Sequence, residues 1–502
     1  MIVKTIQDEI QSFLVDASNF RGNCDAVYLP EHAEEVIEIL KTANESNTKV
    51  TIAGNHTGLT GSGIPQDGVV ISTEKLNRIL EINTKENYAI VEPAVLLSDF
   101  QNELKRVGFF YPPDPTETNC FLGGTIAANA SGAKTFKYGA TRNFVLELEI
   151  VLADGDKLLL KRGEVFAEKN VLSLQTENGN ILSLQLPNYK MPKVKNASGY
   201  FVDENMDAID LFIGSEGTLG VITKAKLKIL PLPSDVLSCV AFFPEEMDGL
   251  AFVEEARTLS YSSRIMNSTG NIDARALEFF DSHALDFLRK DYSQIDDNVF
   301  CAVWFEQELT AQNEDSVTEN WLELITKHHA DVDKVWIGID DKDKALLHEF
   351  RHAISSKVNE YISKNNFRKL GTDVAVSDEV FSNFYSFCKS LVEKENIDYV
   401  AYGHFGNSHL HLNMLPKNED DFQKGKMIYK MICQKAVELG GTVSAEHGIG
   451  KNKREYLLMM YGEEAITEMI SLKKALDPNM ILGSGNLFEL KIYVGKIRTL
   501  NE

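Results

Sequence analysis

Residues 112–142 read PPDPTETNCFLGGTIAANASGAKTFKYGATR, a stretch dense in glycine, proline and hydroxyl side chains. Glycine lacks a Cβ atom, so successive backbone N–H groups in such a loop can approach a phosphate closely. By itself, however, a glycine-rich stretch is equally typical of a structural turn. The choice between a ligand-binding loop and a turn therefore depends on the rest of the sequence.

Two further loops of similar composition flank this stretch. Residues 51–63 read TIAGNHTGLTGSG after a strand-like segment, and residues 212–223 read FIGSEGTLGVIT. The loop at 51–63 has neither the GxGxxG spacing of Rossmann folds nor the GxxxxGK[ST] spacing of phosphate loops, which argues against both folds. Three such loops within residues 1–232 indicate a long, nucleotide-like ligand that is held mostly by backbone groups.

The composition is that of an ordinary globular protein with an acidic balance. The 502 residues suffice for two or three domains, and 51 basic against 74 acidic side chains give a net charge of −23. This charge argues against nucleic acid or anionic lipid as the main partner. The six cysteines form no CxxC pair, as expected for free thiols in a reducing compartment. Without a signal-peptide pattern or an apolar run of membrane-spanning length, the sequence predicts a cytoplasmic protein.

The spacing of apolar residues predicts an α+β protein. A helix is expected over 5–18, and a β-α-β unit follows it. Short β-branched segments continue to Pro231-Leu-Pro233, beyond which strands alternate with helices as in an antiparallel sheet covered by helices. The predicted strands of the two regions include 26–29, 49–53, 69–72, 236–243 and 300–305, and the predicted helices include 31–46, 246–259, 309–328, 343–364 and 421–439. The predicted domains are residues 1–232, 233–425 and 426–502.

A histidine cluster lies in the last third of the chain. Residues 403–411 read GHFGNSHLH, and Glu446-His447 follows. Imidazole and carboxylate are the ligands that first-row divalent metals prefer. The alternation predicts a strand with His409, His411 and Asn413 on one face and apolar residues on the other. A single histidine would more commonly be a hydrogen-bonded core residue, but several on one segment favour a site, in a zinc hydrolase or in a redox enzyme.

Together, the three loops and the histidine cluster closely resemble the FAD-linked 2-hydroxyacid dehydrogenases and oxidases of the vanillyl-alcohol-oxidase superfamily. This family includes flavin-type D-lactate dehydrogenases, the glycolate oxidase large subunit and D-2-hydroxyglutarate dehydrogenase. The resemblance extends over most of the chain, from about residue 20 to 490. It implies a two-subdomain FAD-binding domain, a ferredoxin-like antiparallel-sheet cap domain and a C-terminal segment that returns to the FAD and metal site.

The resemblance also implies which residues hold FAD. The first loop would cradle the pyrophosphate, and the other two would line the flavin and contact the rest of the cofactor. The expected residues are Gly54, Asn55, His56, Thr57, Gly58, Leu59, Thr60, Gly61, Pro113, Asp114, Gly123, Gly124, Asn129, Ser131, Gly132, Glu216, Gly217 and Ile222. His56 lies one position before the histidine that binds flavin covalently in some relatives, so non-covalent FAD is expected.

By the same resemblance, His404, His411 and Glu446 would bind a divalent metal such as Zn, Mn or Fe. His447 would then act as the catalytic general base, since an imidazole with a pKa near 6.5 can take up a hydroxyl proton at neutral pH. His409 stands where relatives usually have asparagine. A fourth ligand, a partner of a ligand and a substrate contact are all open for it, and we group it with the substrate residues.

The resemblance places Arg351 on the substrate carboxylate, with Ser355, Asn413 and Lys195 nearby. If the resemblance is set aside, an arginine on a helix more commonly forms an ion pair at the surface. The lysine that holds the distal carboxylate in hydroxyglutarate enzymes aligns with Gly371. This favours a small monocarboxylate such as D-lactate, although Lys369 or Arg368 could reach the pocket instead.

The expected activity is FAD-dependent, metal-assisted oxidation of a small D-2-hydroxy acid to the 2-keto acid. The alternatives are a D-2-hydroxyglutarate dehydrogenase, a glycolate oxidase subunit and, more distantly, a metallohydrolase. The complete metal cluster argues against a non-catalytic flavin subunit and against an ether-lipid synthase of the same superfamily. The electron acceptor could be a quinone, a cytochrome or an electron-transfer flavoprotein. A homodimer and peripheral attachment to the inner membrane are also open.

Overall fold

The computed structural model describes residues 1–365, 367 and 369–489, so Arg368 lies outside the described residues. In the N-terminal region the strands are β1 Ile2–Lys4, β2 Ala26–Leu29, β3 Val50–Ala53, β4 Val69–Ser72, β5 Ile79–Asn83, β6 Tyr88–Val91, β7 Phe109–Phe110, β8 Val145–Val151, β9 Lys157–Lys161, β10 Val171–Gln175, β11 Ile181–Gln185, β12 Val221–Lys228 and β13 Leu230–Pro231. The helices of this region are α1 Gln7–Ile10, α2 Ala33–Ser46, α3 Leu97–Arg106, α4 Leu122–Ala127, α5 Thr135–Tyr138 and α6 Ile209–Phe212.

The rest of the described chain contributes a second set of strands and helices. The strands are β14 Asp235–Phe243, β15 Ala274–Phe280, β16 Cys301–Leu309, β17 Trp336–Ile337, β18 Leu370–Gly371, β19 Val374–Ala375, β20 Tyr399–Gly403 and β21 His409–Met414. The helices are α7 Glu246–Met266, α8 Ser282–Leu288, α9 Glu314–Lys327, α10 Asp341–Lys364, α11 Phe381–Lys394, α12 Glu419–Glu438 and α13 Arg454–Leu476.

The first layer is a four-stranded sheet with the strand order β1-β2-β4-β3, in which β2, β4 and β3 run parallel. Helix α2 connects β2 to β3 and buries Val36, Ile39, Leu40 and Ala43, the one-sided stripe expected of a crossover helix. The helix ends at Asn47, whose left-handed backbone lets its N–H bond to the last turn. The predicted β-α-β unit is therefore confirmed.

The C-terminal chain completes this layer. The Val50 N–H donates to the Ile481 carbonyl at 2.8 Å, and the Gly483 N–H donates to the Val50 carbonyl at 2.9 Å. Ile481 and Leu482 are fully buried in the core of the four-stranded sheet. A segment more than 400 residues away in sequence thus packs beside β3, the strand that leads into the first glycine-rich loop.

Two large antiparallel sheets form the remaining layers, and the pairs β10-β11 and β13-β7 form two small antiparallel sheets beside them. A five-stranded sheet has the order β5-β6-β12-β8-β9, and a larger sheet has the order β17-β14-β16-β15-β20-β21-β18, with β19 also paired to β21. Helices α7 and α9 pack on one face of the larger sheet, where Phe252, Phe305 and Trp321 stack in the core. This mixture of helices and antiparallel sheets confirms the α+β prediction. The predicted domain limits at 232 and 425 stay predictions, and residue 425 lies within α12.

The helix expected over residues 5–18 was wrong. The structure has a strand, β1, followed by α1 and one 3-10 turn over Gln11–Phe13. Helical structure ends there because the Asp16 carboxylate accepts the Ser18 N–H at 3.0 Å, and Asn19 adopts a left-handed conformation. Asp, Ser and Asn compete in this way with helical hydrogen bonds, and the apolar periodicity of the segment did not outweigh them.

The helices were compared with the length and composition that a membrane-spanning segment requires. Across residues 1–365, 367 and 369–489, no helix combines the length and the apolar composition needed to cross a bilayer.

Candidate active site

The three glycine-rich loops converge at the edge of the four-stranded sheet. The Gly214 N–H donates to the Ile126 carbonyl and the Glu216 N–H to the Ala127 carbonyl, which ties the third loop to α4 of the second. The Asn486 carboxamide donates to the carbonyls of Ser62 (2.9 Å) and Glu216 (3.0 Å), so it joins the first loop to the third. The loops that are separated in sequence therefore form one cradle.

This cradle has the open backbone that a nucleotide cofactor requires. A Cβ atom built on Gly124 would meet no atom within 4 Å, and one on Gly54 would first meet the Phe121 ring at 3.9 Å. The imidazole Nε2 of His56 is buried without a hydrogen-bond partner among the described residues. Close backbone approach and unsatisfied polar atoms both fit a bound dinucleotide such as FAD.

The histidine cluster lies on two adjacent strands of the larger sheet. His404 follows β20, and His409 and His411 lie in β21, with Leu410, Leu412 and Met414 fully buried on the opposite face. The predicted strand and its alternation are confirmed. Gly403 has a φ of +129°, and a Cβ atom there would lie 2.8 Å from the His411 ring, so only glycine allows this close packing.

Two of these histidines each have one nitrogen held by the protein and the other directed at Glu446. His404 donates from Nδ1 to the Glu278 carboxylate at 2.7 Å, and its Nε2 lies 3.2 Å from Glu446 Oε2. His411 donates from Nδ1 to the Thr372 carbonyl at 3.0 Å, and its Nε2 lies 3.4 Å from Glu446 Oε2. Metal-binding histidines are typically oriented in this way by an outer hydrogen bond.

The third component is Glu446, which is held by groups from the FAD-binding region. Its Oε1 accepts hydrogen bonds from the Lys195 ammonium and from the Ser131 hydroxyl, the latter at 3.1 Å. Burial by itself raises the pKa of Glu446, but the charges of His404 and Lys195 lower it well below its usual range. The ligand atoms of His404, His409, His411 and Glu446 lie within 4.8 Å of one another, and these four side chains form an N/O donor set of the kind that can hold a divalent metal.

His447 lies beside this donor set. Its Nδ1 is 3.3 Å from Asp373 Oδ2, its ring stacks on His411 with centroids 5.5 Å apart, and its side chain is 28% exposed. The enclosed position lowers the pKa of the imidazole to about 4, which the charge of Asp373 opposes only in part. His447 is therefore neutral at pH 7 and reachable by a substrate, as a general base must be.

Arg351 is buried, so the surface ion pair considered from sequence alone does not apply. It reaches Glu278 Oε2 from Nε (3.2 Å) and Nη2 (2.9 Å), and Nη1 lies 3.2 Å from the Thr116 hydroxyl. Glu278 therefore binds both Arg351 and His404. Burial alone would raise the pKa of Glu278, but the charges of His404 and Arg351 lower it to about 2. The guanidinium is thereby fixed near His404 through the shared Glu278 carboxylate.

Two further predicted substrate residues, Ser355 and Asn413, lie on α10 and β21. The Ser355 hydroxyl is 3.1 Å from the Tyr402 hydroxyl on β20. Asn413 is 4% exposed, and its Nδ2 has no hydrogen-bond partner among the described residues. A buried amide donor without a partner is available for a ligand oxygen.

Several predicted cofactor residues are engaged by the protein itself. The Glu216 carboxylate accepts the N–H groups of Ile449 and Gly450, each at 2.7 Å, and so anchors the turn after His447. The Asn55 carboxamide donates to the Asn119 carbonyl, Asp114 pairs with Lys134, and Leu59 is 48% exposed. Lys369 donates to Asn359 at the surface. Their predicted roles stay predictions.

Sequence reasoning missed two residues that organise the site, Glu278 and Asp373. Asp373 is fully buried and accepts hydrogen bonds from His409 Nε2, the Ser444 hydroxyl, the Lys453 ammonium and the backbone N–H groups of Glu446 and His447. Glu278 lies on β15, a strand that was not predicted. No local motif marks either residue.

Comparisons with known proteins identify the two regions. Residues 24–160 match the family described as FAD binding domain, and residues 248–487 match the family described as FAD linked oxidases, C-terminal domain.

Three curated relatives align over nearly the whole chain. The chain is 29% identical to the glycolate oxidase subunit GlcD of Bacillus subtilis (strain 168), covering 92% of this chain and 89% of the relative. It is 29% identical to the D-lactate dehydrogenase of Anaerostipes hadrus (96% and 94% covered) and 27% identical to the D-2-hydroxyglutarate dehydrogenase of Stutzerimonas stutzeri (strain A1501) (97% and 96% covered).

One solved structure shows the shared fold. The 4-ethylphenol oxidase from Gulosibacter chungangensis superposes with a TM-score of 0.68 at 18% identity, covering 98% of this chain and 95% of that one. The chain therefore has the vanillyl-alcohol-oxidase type of fold that its sequence predicted.

Proposed function

The chain belongs to the FAD-linked 2-hydroxyacid dehydrogenase and oxidase family, and on that premise we propose that it oxidises a small D-2-hydroxy acid to the 2-keto acid. The observation that carries the proposal is the position of His447, a neutral imidazole between the assembled donor set and the FAD loops. The Thr60 hydroxyl of the first loop donates to the His447 carbonyl at 3.3 Å, and Ser131 of the second donates to Glu446. His447, the proposed proton acceptor, is thus connected by hydrogen bonds to the glycine-rich loops that would hold FAD.

Substrate binding is assigned to residues from both sheets and α10. Arg351 supplies a fixed cation for the carboxylate, and the unpartnered Asn413 amide supplies a donor for a second oxygen. Ser355 holds Tyr402 beside them. Lys195 keeps Glu446 ionised and in place.

The chemistry divides between these residues and two bound groups. His447 takes up the substrate hydroxyl proton at Nε2, while Nδ1 lies 3.3 Å from Asp373 Oδ2, and the backbone N–H of His447 donates to the same carboxylate. The three glycine-rich loops would hold FAD non-covalently, and the flavin would supply the acceptor for the C2 hydride. A divalent metal held by His404, His411 and Glu446 would lower the pKa of the substrate hydroxyl. The electrons then leave to an acceptor of the quinone, cytochrome or electron-transfer-flavoprotein class.

The size of the substrate is inferred from β18. Gly371 occupies the position at which hydroxyglutarate enzymes have a lysine, and a Cβ atom there would lie 2.6 Å from the Asn413 amide oxygen. Lys369, the alternative cation, is exposed and donates to Asn359. With no second cation assigned to a distal carboxylate, a monocarboxylate such as D-lactate or glycolate is the proposed substrate.

The purified protein is expected to be yellow, and anaerobic D-lactate should bleach the flavin absorbance near 450 nm. L-Lactate serves as the control and should bleach it at least about 100-fold more slowly, because its C2 hydrogen would face away from the flavin when its carboxylate is bound in the same place. Faster bleaching by D-2-hydroxyglutarate would replace the monocarboxylate with a dicarboxylate. A colourless protein, or one that no 2-hydroxy acid bleaches, would contradict the proposed activity.

Replacing Arg351 with lysine should raise the KM for D-lactate by about 10–100-fold, because a charged hydrogen bond is worth about 1.5–3 kcal/mol. The value of kcat should change less, since His447 is untouched. Lysine retains a positive charge beside Glu278, which protects the fold. The matched control is Lys357→Ala on the same helix, where the lysine pairs with Asp291 outside the site. An unchanged KM would remove Arg351 from the carboxylate site.

A further inference from the structure

His409 differs from its two neighbours in which nitrogen it leaves free. Its Nε2 lies 3.0 Å from Asp373 Oδ1, and both side chains are fully buried. Asp373 also accepts hydrogen bonds from Ser444, Lys453 and two backbone N–H groups, an environment that fits only an ionised carboxylate. An ionised carboxylate cannot donate, so the His409 proton must be on Nε2. The lone pair is therefore on Nδ1.

That Nδ1 atom is buried and has no hydrogen-bond partner among the described residues. Leaving a buried acceptor unsatisfied costs about 1–3 kcal/mol, so such an atom normally faces a cation or a donor. The His409 ring lies 5.3 Å from the His404 ring and 4.3 Å from the His411 ring, measured between centroids. Its surroundings are thus the donor set that was assigned to a metal.

We propose that His409 is a fourth protein ligand of that divalent metal, bound through Nδ1, which gives a site of three imidazoles and one carboxylate. The inference rests on the metal assignment in the proposed function and goes beyond it, because the resemblance supplies only His404, His411 and Glu446. In relatives with asparagine at this position, an imidazole ligand would be missing.

All three histidines then follow one rule. His404 is oriented by Glu278, His411 by the Thr372 carbonyl and His409 by Asp373, and in each ring the other nitrogen would be the metal-binding atom. Asp373 becomes a positioning residue for His409 and, through backbone N–H bonds, for Glu446. Because imidazole suits Zn, Fe, Ni and Cu and carboxylate suits Mg and Mn, the third imidazole biases the site away from Mn²⁺.

The first test counts nitrogen ligands in the wild-type holoprotein. After chelator treatment with FAD retained, one equivalent of Cu²⁺ is added, and the ¹⁴N superhyperfine pattern is recorded by electron paramagnetic resonance. Three equivalent or near-equivalent nitrogens are expected. A two-nitrogen pattern would overturn the assignment. This measurement needs no variant and no turnover, so it remains decisive if a substitution disturbs folding.

The second test measures Zn²⁺ affinity by competition with a chelator. His409→Asn should weaken Zn²⁺ binding by more than about 100-fold. Asp373→Asn should weaken it by about 10–100-fold, as expected for a residue that positions ligands without binding the metal. The matched control is His283→Asn, since His283 faces the buried Asp281 on α8 and contacts no residue of the site. Wild-type Zn²⁺ affinity in His409→Asn would show that Nδ1 faces a donor other than the metal.

These measurements distinguish the role of His409 as a metal ligand from the proposed oxidation of a 2-hydroxy acid. Suppose that the spectrum shows three nitrogens and that Zn²⁺ affinity depends on His409, but that no 2-hydroxy acid reduces the flavin. His409 would then remain a metal ligand, and the proposed oxidation of a 2-hydroxy acid would be rejected. If D-lactate bleaches the flavin but the spectrum shows only two nitrogens, the proposed activity would stand and His409 would not be a metal ligand.

Discussion

Replacing His447 with glutamine is expected to lower the rate of flavin reduction by D-lactate about 10³-fold, within the range of about 10²–10⁴ typical for loss of a general base. Glutamine fills a similar volume and can still donate to Asp373, but it cannot accept the hydroxyl proton as a base does. The KM should change little, because Arg351 and Asn413 hold the substrate. The measurement is anaerobic rapid mixing followed near 450 nm.

The matched control for this substitution is His283→Gln. His283 Nδ1 lies 3.6 Å from Asp281, much as His447 Nδ1 lies 3.3 Å from Asp373, but it belongs to α8 outside the site. The control should reduce its flavin at the wild-type rate. If His447→Gln does so too with its flavin bound, another group takes the proton and His447 loses its assigned role.

Replacing Glu446 with glutamine should lower the metal content of the purified protein and lower the rate of flavin reduction by about 10³-fold or more, since polarisation by a metal is worth several kcal/mol. The carboxylate is the only anionic member of the proposed ligand set, and its charge is fixed by Lys195 and His404. Metal content is measured by elemental analysis of the purified variant. Flavin content should stay at the wild-type level, because the glutamine side-chain oxygen can still accept the Ser131 hydrogen bond that ties this residue to the second loop.

Glu149→Gln is a close control for that substitution. Glu149 accepts hydrogen bonds from the Thr223 hydroxyl (2.8 Å) and the Lys224 ammonium (3.0 Å), as Glu446 accepts them from Ser131 and Lys195. It lies on β8, away from the histidines, and should keep full metal content. Retention of stoichiometric metal by Glu446→Gln would move the metal site elsewhere.

Features of the fold and the site could be predicted from the sequence where their residues are contiguous in the chain. The glycine-rich loops and the alternation around His411 are contiguous, so both were recognised. Strand β15 was missed because Ala274–Phe280 reads ARALEFF, in which alanine, leucine and glutamate favour helix, whereas pairing with β16 and β20 makes it a central strand. With β15, the position of Glu278 was also missed.

The sequence by itself determined the type of the site: which loops can approach a phosphate and which residue types can bind a metal or take a proton. The tertiary structure decided how those groups are used. His404 meets Glu278, 126 residues away, and His409 meets Asp373, 36 residues away, and these bonds select the nitrogen that each ring presents. An imidazole has two nitrogens of similar chemistry, so only its hydrogen-bond partner in the folded chain can distinguish them.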